Sequence, residues 1–291
     1  MEEINNIFSK YNELSFNSSF KTEEELNKYI IQYCNDLSEL VDLLSHLINN
    51  ETHPNYYNLN EATIVGSITR IIKLYKEIIH NYELNKSEIL ALFVRPFYES
   101  FIISKYLIRN GEESQRNFRI VSYKSRFDNF KILNNQNNLI IKRQLFKLNA
   151  KLKEDGFTIS DLEKEDKKSQ KWKLDGKSFW KIHSEVDFTE MYSFIYGVGS
   201  DSVHGNWQEI IDFHLTEKGK GYFGFLNYEK CDCRAVITIN TILIESILEF
   251  LEWNNCSTDK IEKGLKSMLK INQYVYPIWE EKFGETIELN S

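Results

Sequence analysis

Apolar residues recur along this chain in steps of three and four, interrupted by short polar breaks. From Thr22 they fall at Leu26, Tyr29, Ile30, Tyr33, Leu37, Leu40, Leu44 and Leu47, one face of an α-helix. Thr22 followed by Glu25 is a capping-box pattern, so this helix is predicted to open there. It runs to about Asn50, and His53-Pro54-Asn55 breaks it. Ile64, Ile68, Ile71, Ile72, Tyr75 and Ile79 predict a second helix over 60–82. Ser87 and Glu88 open a third, SEILALFVRPFYESFIISKYLI, which is apolar nearly all round and is expected at the centre of the fold. Pro96 removes a backbone hydrogen bond inside it and predicts a kink, and Gly111 ends it.

Residues 112–133 continue as a helix with a mixed face, 134–138 read as a turn, and 139–154 as another helix. The segment 155–173 carries dense charge of both signs and predicts an exposed loop with one short helix. A short helix is expected at Ser178–Ile182, and Asp187 caps a helix over 188–204. That helix places Tyr192, Tyr196, Ser200 and His204 one turn apart on one face and stops at Gly205. Beyond it, 207–215 and 222–226 flank EKGKG, a β-hairpin pattern with a glycine turn. Cys233–Trp253 and 258–283 return to helix, while the first 20 residues read as a loosely ordered polar arm. The fold class is all-α: a single domain over 1–291, a helical bundle with a small inserted β-hairpin at about 207–228.

Composition narrows the class. Hydrophobic residues make up 42 % and aromatics 14 % of 291 residues, and 3 prolines and 12 glycines argue against disorder and against a many-turned β-sandwich. A net charge of −7 disfavours coating of nucleic acid or an anionic membrane by overall charge. Lysine outnumbers arginine 28 to 8, so each arginine's position carries information. The cysteines Cys34, Cys231, Cys233 and Cys256 lack zinc-knuckle spacing. No two histidines share ligand spacing, and no metal site or cofactor is expected. Idle thiols and an acidic N-terminus without a signal-peptide core predict a cytoplasmic protein. The most apolar run, 235–251, contains Asn240, Glu245 and Glu249 and reads as a buried helix rather than a membrane span.

Several residues carry candidate chemistry. His204 has the side chain for general acid–base work near neutrality; a histidine in the last turn before a glycine cap also complements the helix dipole with no further role. Arg95 and Glu99 lie at i, i+4 on an otherwise apolar helix, where a retained charge pair specifies packing or faces a ligand. Arg116, Arg119, Tyr123 and Arg126 share a face suited to phosphate contact and base stacking, or simply to solvent. Asp201 is adjacent to Ser200 and is placed to orient His204 or to pair with a lysine. Gly197 and Gly199 allow close approach of another helix. Ser200 lacks the nucleophile elbow of a hydrolase, and Gly176-Lys177-Ser178 lacks P-loop spacing.

Arg95 and Glu99, then Trp172, Gly176, Lys177 and Ser178, then Tyr192, Tyr196, Ser200 and His204 form a series. It resembles a bacterial family catalogued only as a domain of unknown function, over roughly residues 60–255. The resemblance implies an all-helical fold. More distantly the arrangement is similar to HEPN domains, helical bundles frequent in toxins and antiviral systems, many of them metal-independent ribonucleases. Their Arg-x(4–6)-His motif is absent here: Val198, Gly199 and Ser200 precede His204, so an arginine partner must come from another helix.

The resemblance implies a stress or antiviral-defence effector. As a metal-independent endoribonuclease it would use His204 on the 2′-hydroxyl proton and Arg95 on the phosphorus. Tyr196 and Glu99 would position those two, and Arg119 would hold flanking phosphate. The alternative is a non-catalytic module that binds a nucleotide or a partner protein of a defence complex through Arg95, Arg119 and Tyr192. RNA or nucleotide, a protein partner and a second copy in a homodimer are the expected partners, with no membrane. The residues thus reduce to one expected contact, the Arg95–Glu99 helix against the Tyr192–His204 stripe.

Overall fold

The capping box forms as its residues dictate: Thr22 Oγ1 accepts from the Glu25 amide at 3.2 Å, and Glu25 reaches back to the Lys21 amide at 2.8 Å. The computed structural model describes residues 2–12, 16, 19–54, 56–134, 138–164, 172–186 and 192–284. Its helices are α1 Glu2–Lys10, α2 Glu23–Ser45, α3 Glu61–Glu83, α4 Ser87–Asn134, α5 Leu139–Glu154, α6 Ile159–Lys164 and α7 Phe179–Val186. A π-helical turn, Tyr192–Gly197, leads into α8 Val198–His204 and α9 Trp207–Phe213. The strands β1 Leu215–Lys218 and β2 Gly221–Gly224 follow, then α10 Cys233–Trp253 and α11 Asp259–Phe283. The fold is all-α, with one small antiparallel hairpin among the described residues. No described helix is long and apolar enough to cross a membrane.

The chain divides into two compact units. The first comprises 1–54, 68–101 and 190–291. Its core is α10 packed against α2 and α11, with Val236, Leu243, Ile244, Ile247, Phe250 and Leu251 buried. One buried polar network fixes the register of these helices. Asn240 accepts from Tyr75 Oη at 2.7 Å and donates to Asn272 Oδ1 at 3.2 Å and Cys34 Sγ at 3.3 Å. Asn272 in turn donates to the Ile237 carbonyl at 2.7 Å. Each amide is satisfied, so the network specifies one alignment rather than weakening the core.

Within the first 20 residues, expected as a loose arm, Glu2–Lys10 is helical, while 1, 13–15 and 17–18 lie outside the described residues. α1 buries Ile4 and Ile7, Phe8 lies against Gly264, and Tyr11 is buried behind it. Tyr11 Oη donates to Asp36 at 2.6 Å and Lys10 pairs with the same carboxylate at 3.0 Å. Burial opposes the Asp36 charge, but hydrogen bonds from Tyr11, Lys10 and Gln32 outweigh it and hold its pKa below the usual range.

The second unit comprises 55–67 and 102–189. Ile120, Leu152, Phe157 and Leu162 form its core, flanked by Tyr123 and Phe127. Pro96 sits within α4, and the break in helical angles falls at Gly111 instead, with φ 71° and ψ −161°. Glycine adopts that backbone without the Cβ clash other residues would meet. Within α4, Phe97, Tyr98, Phe101–Ile103, Tyr106 and Leu107 are buried, but Leu92 in its first turns is exposed.

The hairpin is shorter than the apolar pattern suggested. Trp207–Phe213 is helical, because Asn206 Oδ1 caps it by accepting from the Glu209 amide at 2.9 Å. Only four residues on each strand pair, Leu215 opposite Gly224 through Lys218 opposite Gly221. Gly219, at φ 65°, supplies the left-handed residue of the tight turn. The expected turn over 134–138, the 155–173 loop and the Asp187 cap lie partly or wholly outside the described residues.

Candidate functional site

Gly199 decides how the site is built. A Cβ there would lie 2.9 Å from Arg95 Cβ and 3.1 Å from the Arg95 backbone nitrogen. Only glycine lets α8 approach α4 this closely. Gly197, two residues earlier, has nothing within 4 Å of its corresponding position. The approach sets Tyr196 of the π-turn and Ser200 and His204 of α8 around the Arg95 guanidinium.

Arg95 is the hub. Its Nη1 donates to Ser200 Oγ at 3.1 Å and lies 3.4 Å from His204 Nε2. Its Nη2 donates to Tyr196 Oη at 2.7 Å, and its Nε donates to Glu99 Oε1 at 3.0 Å. The guanidinium carbon also lies 4.4 Å from the Tyr196 ring centroid, a cation–π distance. A guanidinium has five N–H donors; these four contacts leave one Nη2 hydrogen with no acceptor among the described residues. Arg95 and Glu99 side chains keep 21 % and 38 % of their exposure, and His204 is exposed, so the cluster opens to solvent.

The contact with Arg95 selects one tautomer of a neutral imidazole. Nη1 can only donate, so Nε2 accepts and the ring proton sits on Nδ1. Gly205, at φ 59° and ψ 54°, ends α8 by donating its N–H to the Asp201 carbonyl at 2.9 Å. His204 therefore sits in the final turn of α8. Asp201 offers its carbonyl to this cap, while its side chain is exposed and makes no contact with Arg95 or His204.

The stripe holds from Tyr196 onward. In the preceding π-turn the hydrogen bonds run i→i+5, so Tyr192 is no longer one α-turn below Tyr196. The Tyr192 side chain lies outside the described residues. π-turns recur at functional sites because they re-aim side chains at a local cost.

Arg119 and Tyr123 belong to the second unit and are held within it. Arg119 donates to Asn60 Oδ1 at 2.7 Å and to the Asp155 carbonyl at 3.4 Å, and stacks 4.8 Å from the Phe157 centroid. Burial lowers its pKa. Tyr123 donates to the Asp155 carboxylate and packs edge-on against Phe157. Both side chains are held by these contacts within the second unit, although Arg119 Nε is buried without a hydrogen-bond partner among the described residues.

Asp175 lies outside the residue spacings that mark the other candidates. Leu174-Asp175-Gly176-Lys177 is a tight turn, with φ 54° at Asp175 and 71° at Gly176 and paired backbone bonds between Leu174 and Lys177. The Asp-Gly dipeptide is the signal for such a turn. Asp175 accepts from Tyr106 Oη at 2.8 Å, Ser114 Oγ at 2.5 Å and Asn117 Nδ2 at 2.8 Å. Lys177 donates to Tyr106 at 3.1 Å and pairs with Glu185 at 2.6 Å. The Gly-Lys-Ser segment thus folds as an anchored turn. His183 is fully buried beside Trp180, and burial lowers its pKa.

The helical bundle with an arginine-centred cluster defines the class: an all-α protein with a solvent-facing polar site between two of its helices. Residues 61–222 match the family of unknown function DUF5677, and the chain belongs to that family. No curated protein and no solved structure matches it. The match spans Arg95, Glu99, Tyr196, Ser200 and His204. Among the described residues no group of three or more histidine, cysteine or acidic side chains is arranged to hold a metal ion.

Proposed function

We propose that the Arg95 cluster is a phosphodiester site that cleaves single-stranded RNA without a metal ion, in the manner of HEPN-like ribonucleases. The observation that carries this reading is the 3.4 Å approach of Arg95 Nη1 to His204 Nε2 across helices 109 residues apart in sequence. It supplies from another helix the arginine that a His204-centred site lacks in its own motif. The neutral imidazole presents a lone pair on Nε2, the form a general base needs. On substrate entry Nε2 exchanges the long Arg95 contact for the 2′-hydroxyl and takes its proton. The 2′ oxygen attacks phosphorus, the bond to the 5′ oxygen breaks, and that oxygen takes a proton from solvent. The products are a 2′,3′-cyclic phosphate and a 5′-hydroxyl end.

Arg95 stabilises the charge that builds on the phosphoryl oxygens through its remaining Nη2 hydrogen and the Nη1 hydrogen released by His204. Ser200 Oγ accepts from Arg95, so its own O–H is left to donate to the same oxygens. Tyr196 and Glu99 hold the guanidinium plane on its other edges. Such an activity would suit a stress or antiviral-defence effector.

The test is degradation of short RNA by purified protein in chelator, wild type against His204→Ala. Loss of a cyclic-phosphate product in the variant is expected; equal activity in both, or none in the wild type, refutes catalysis. A non-catalytic nucleotide-binding role is the second reading. It is favoured by the four contacts that hold Arg95 rigidly while the imidazole contact is the longest of them. It predicts thermal stabilisation by nucleotides without turnover.

A further inference from the structure

Trp207 is 64 % exposed in the first turn of α9, and its indole makes no ring contact or hydrogen bond among the described residues. It follows His204 by three residues, so the two Cα atoms are at most about 11 Å apart. The Asn206 cap fixes where the indole leaves the backbone. A tryptophan exposed to this extent, with no ring or hydrogen-bond partner among the described residues, forgoes much of the apolar burial its side chain offers.

The hairpin shortly downstream adds a second observation. A two-stranded hairpin is marginal on its own, and every residue of β2 is exposed, including Tyr222 at 55 % and Phe223 at 50 %. Alternation along the strands puts Lys218 and Phe223 on one face and Glu217 and Tyr222 on the other. Lys218 Nζ lies 5.9 Å from the Phe223 centroid. One face therefore offers a cation and an aromatic ring side by side, the pair that a phosphate and its base require. The opposite face carries a carboxylate, which repels phosphate.

We propose that Trp207 and the Lys218–Phe223 face of the hairpin form a base-stacking platform that holds single-stranded RNA beside the Arg95–His204 cluster. This rests on that cluster being a phosphodiester site. The net charge of −7 fits the assignment. A chain this acidic holds RNA through few phosphates, so stacking must supply much of the affinity. With about one or two phosphates neutralised, log Kd changes with log salt by a slope of only about 0.7–1.4.

The experiment is fluorescence anisotropy with a cleavage-resistant 2′-O-methyl oligouridylate of about eight nucleotides, against an abasic strand of equal length. Trp207→Ala weakens the base-bearing strand roughly 5- to 150-fold, the loss of one stacked base. Trp207→Phe retains most of the affinity. Neither changes binding of the abasic strand, nor the melting temperature, since the indole is exposed. Unchanged oligouridylate binding by Trp207→Ala overturns the platform, as does equal wild-type affinity for the two strands or none for either. A polypeptide ligand in place of RNA would give that last result. Arg95→Ala separates the two claims. If it binds the oligonucleotide like wild type while Trp207→Ala does not, the platform stands and the phosphodiester reading falls. The reverse pattern removes the platform alone.

Discussion

The two glycines of the Tyr196–His204 region give opposite predictions for the same substitution. Gly197 has helical angles, φ −63° and ψ −58°, and open space around it. Gly197→Ala therefore removes only the entropic cost of glycine and stabilises by about 0.4–1 kcal/mol. Gly199→Ala gains the same term, but its methyl would sit 2.9 Å from Arg95 Cβ and 3.1 Å from the Arg95 amide nitrogen. Those atoms are backbone or fixed to it, so the helices must separate. Overpacking of this kind costs about 1–3 kcal/mol. The two variants should thus differ by about 1–3 kcal/mol. At roughly 2–4 °C per kcal/mol for chains near this size, the melting temperatures differ by several degrees. If the Arg95 cluster is the proposed phosphodiester site, Gly199→Ala should also lose RNA binding, because separation breaks the Ser200 and His204 contacts to Arg95, while Gly197→Ala keeps it. Thermal melts and anisotropy on the two variants read both effects. Equal melting temperatures, or a Gly199→Ala more stable than Gly197→Ala, would refute the close-approach argument.

Other expectations follow from single contacts. Ile7→Ala should cost about 2–4 kcal/mol by urea denaturation, because Ile7 is 3 % exposed; no effect would restore the loose arm. Asp175→Asn keeps the left-handed backbone that asparagine tolerates but removes the carboxylate that three donors serve. Burial raises the Asp175 pKa, and the hydrogen bonds from Ser114, Asn117 and Tyr106 outweigh it, so the folded value is lowered. The stability it contributes is present above the unfolded value of about 3.9 and is lost as pH falls through the folded one. Wild type should therefore lose stability more steeply than Asp175→Asn below about pH 4; parallel acid-denaturation curves would contradict this. Burial pushes Cys34 and Cys233 up to about 12 and Cys231 to about 11. Thiol reagents at pH 8 should then label the folded protein at Cys256 and reach the other three only on unfolding.

Much of the fold was legible because its helices are built on long apolar stripes with explicit caps, Thr22 and the Gly205 stop among them. The N-terminal helix was not, since Ile4, Ile7, Phe8 and Tyr11 are too few to mark a stripe, and the space for the Phe8 ring is left by Gly264, more than 250 residues away. The first half of the expected hairpin failed for a local reason: Asn206 is a strong N-cap, and it turns an apolar run that also suits a strand into helix. At the site, Ser200 and His204 share a face because α-helical spacing holds there, and Gly199 announced a close approach. Arg95 stood out as the partner because arginines are few and it lies with Glu99 on an otherwise apolar helix, but the fork that ties it to Tyr196 and Ser200 was not legible in the linear chain. The charge stripe around Arg119 is a common surface pattern, and only Asn60, Asp155 and Phe157 turn it inward.

The measurement that bears most directly on the central claim is the affinity of a cleavage-resistant RNA strand for wild type and Arg95→Lys. Lysine keeps the charge but cannot reproduce the fork that reaches Tyr196, Ser200 and Glu99 while leaving donors for phosphate. A phosphodiester site centred on Arg95 predicts at least about a tenfold weaker Kd for Arg95→Lys, the worth of one charge-assisted hydrogen bond. An unchanged Kd would show that Arg95 only pins α8 to α4.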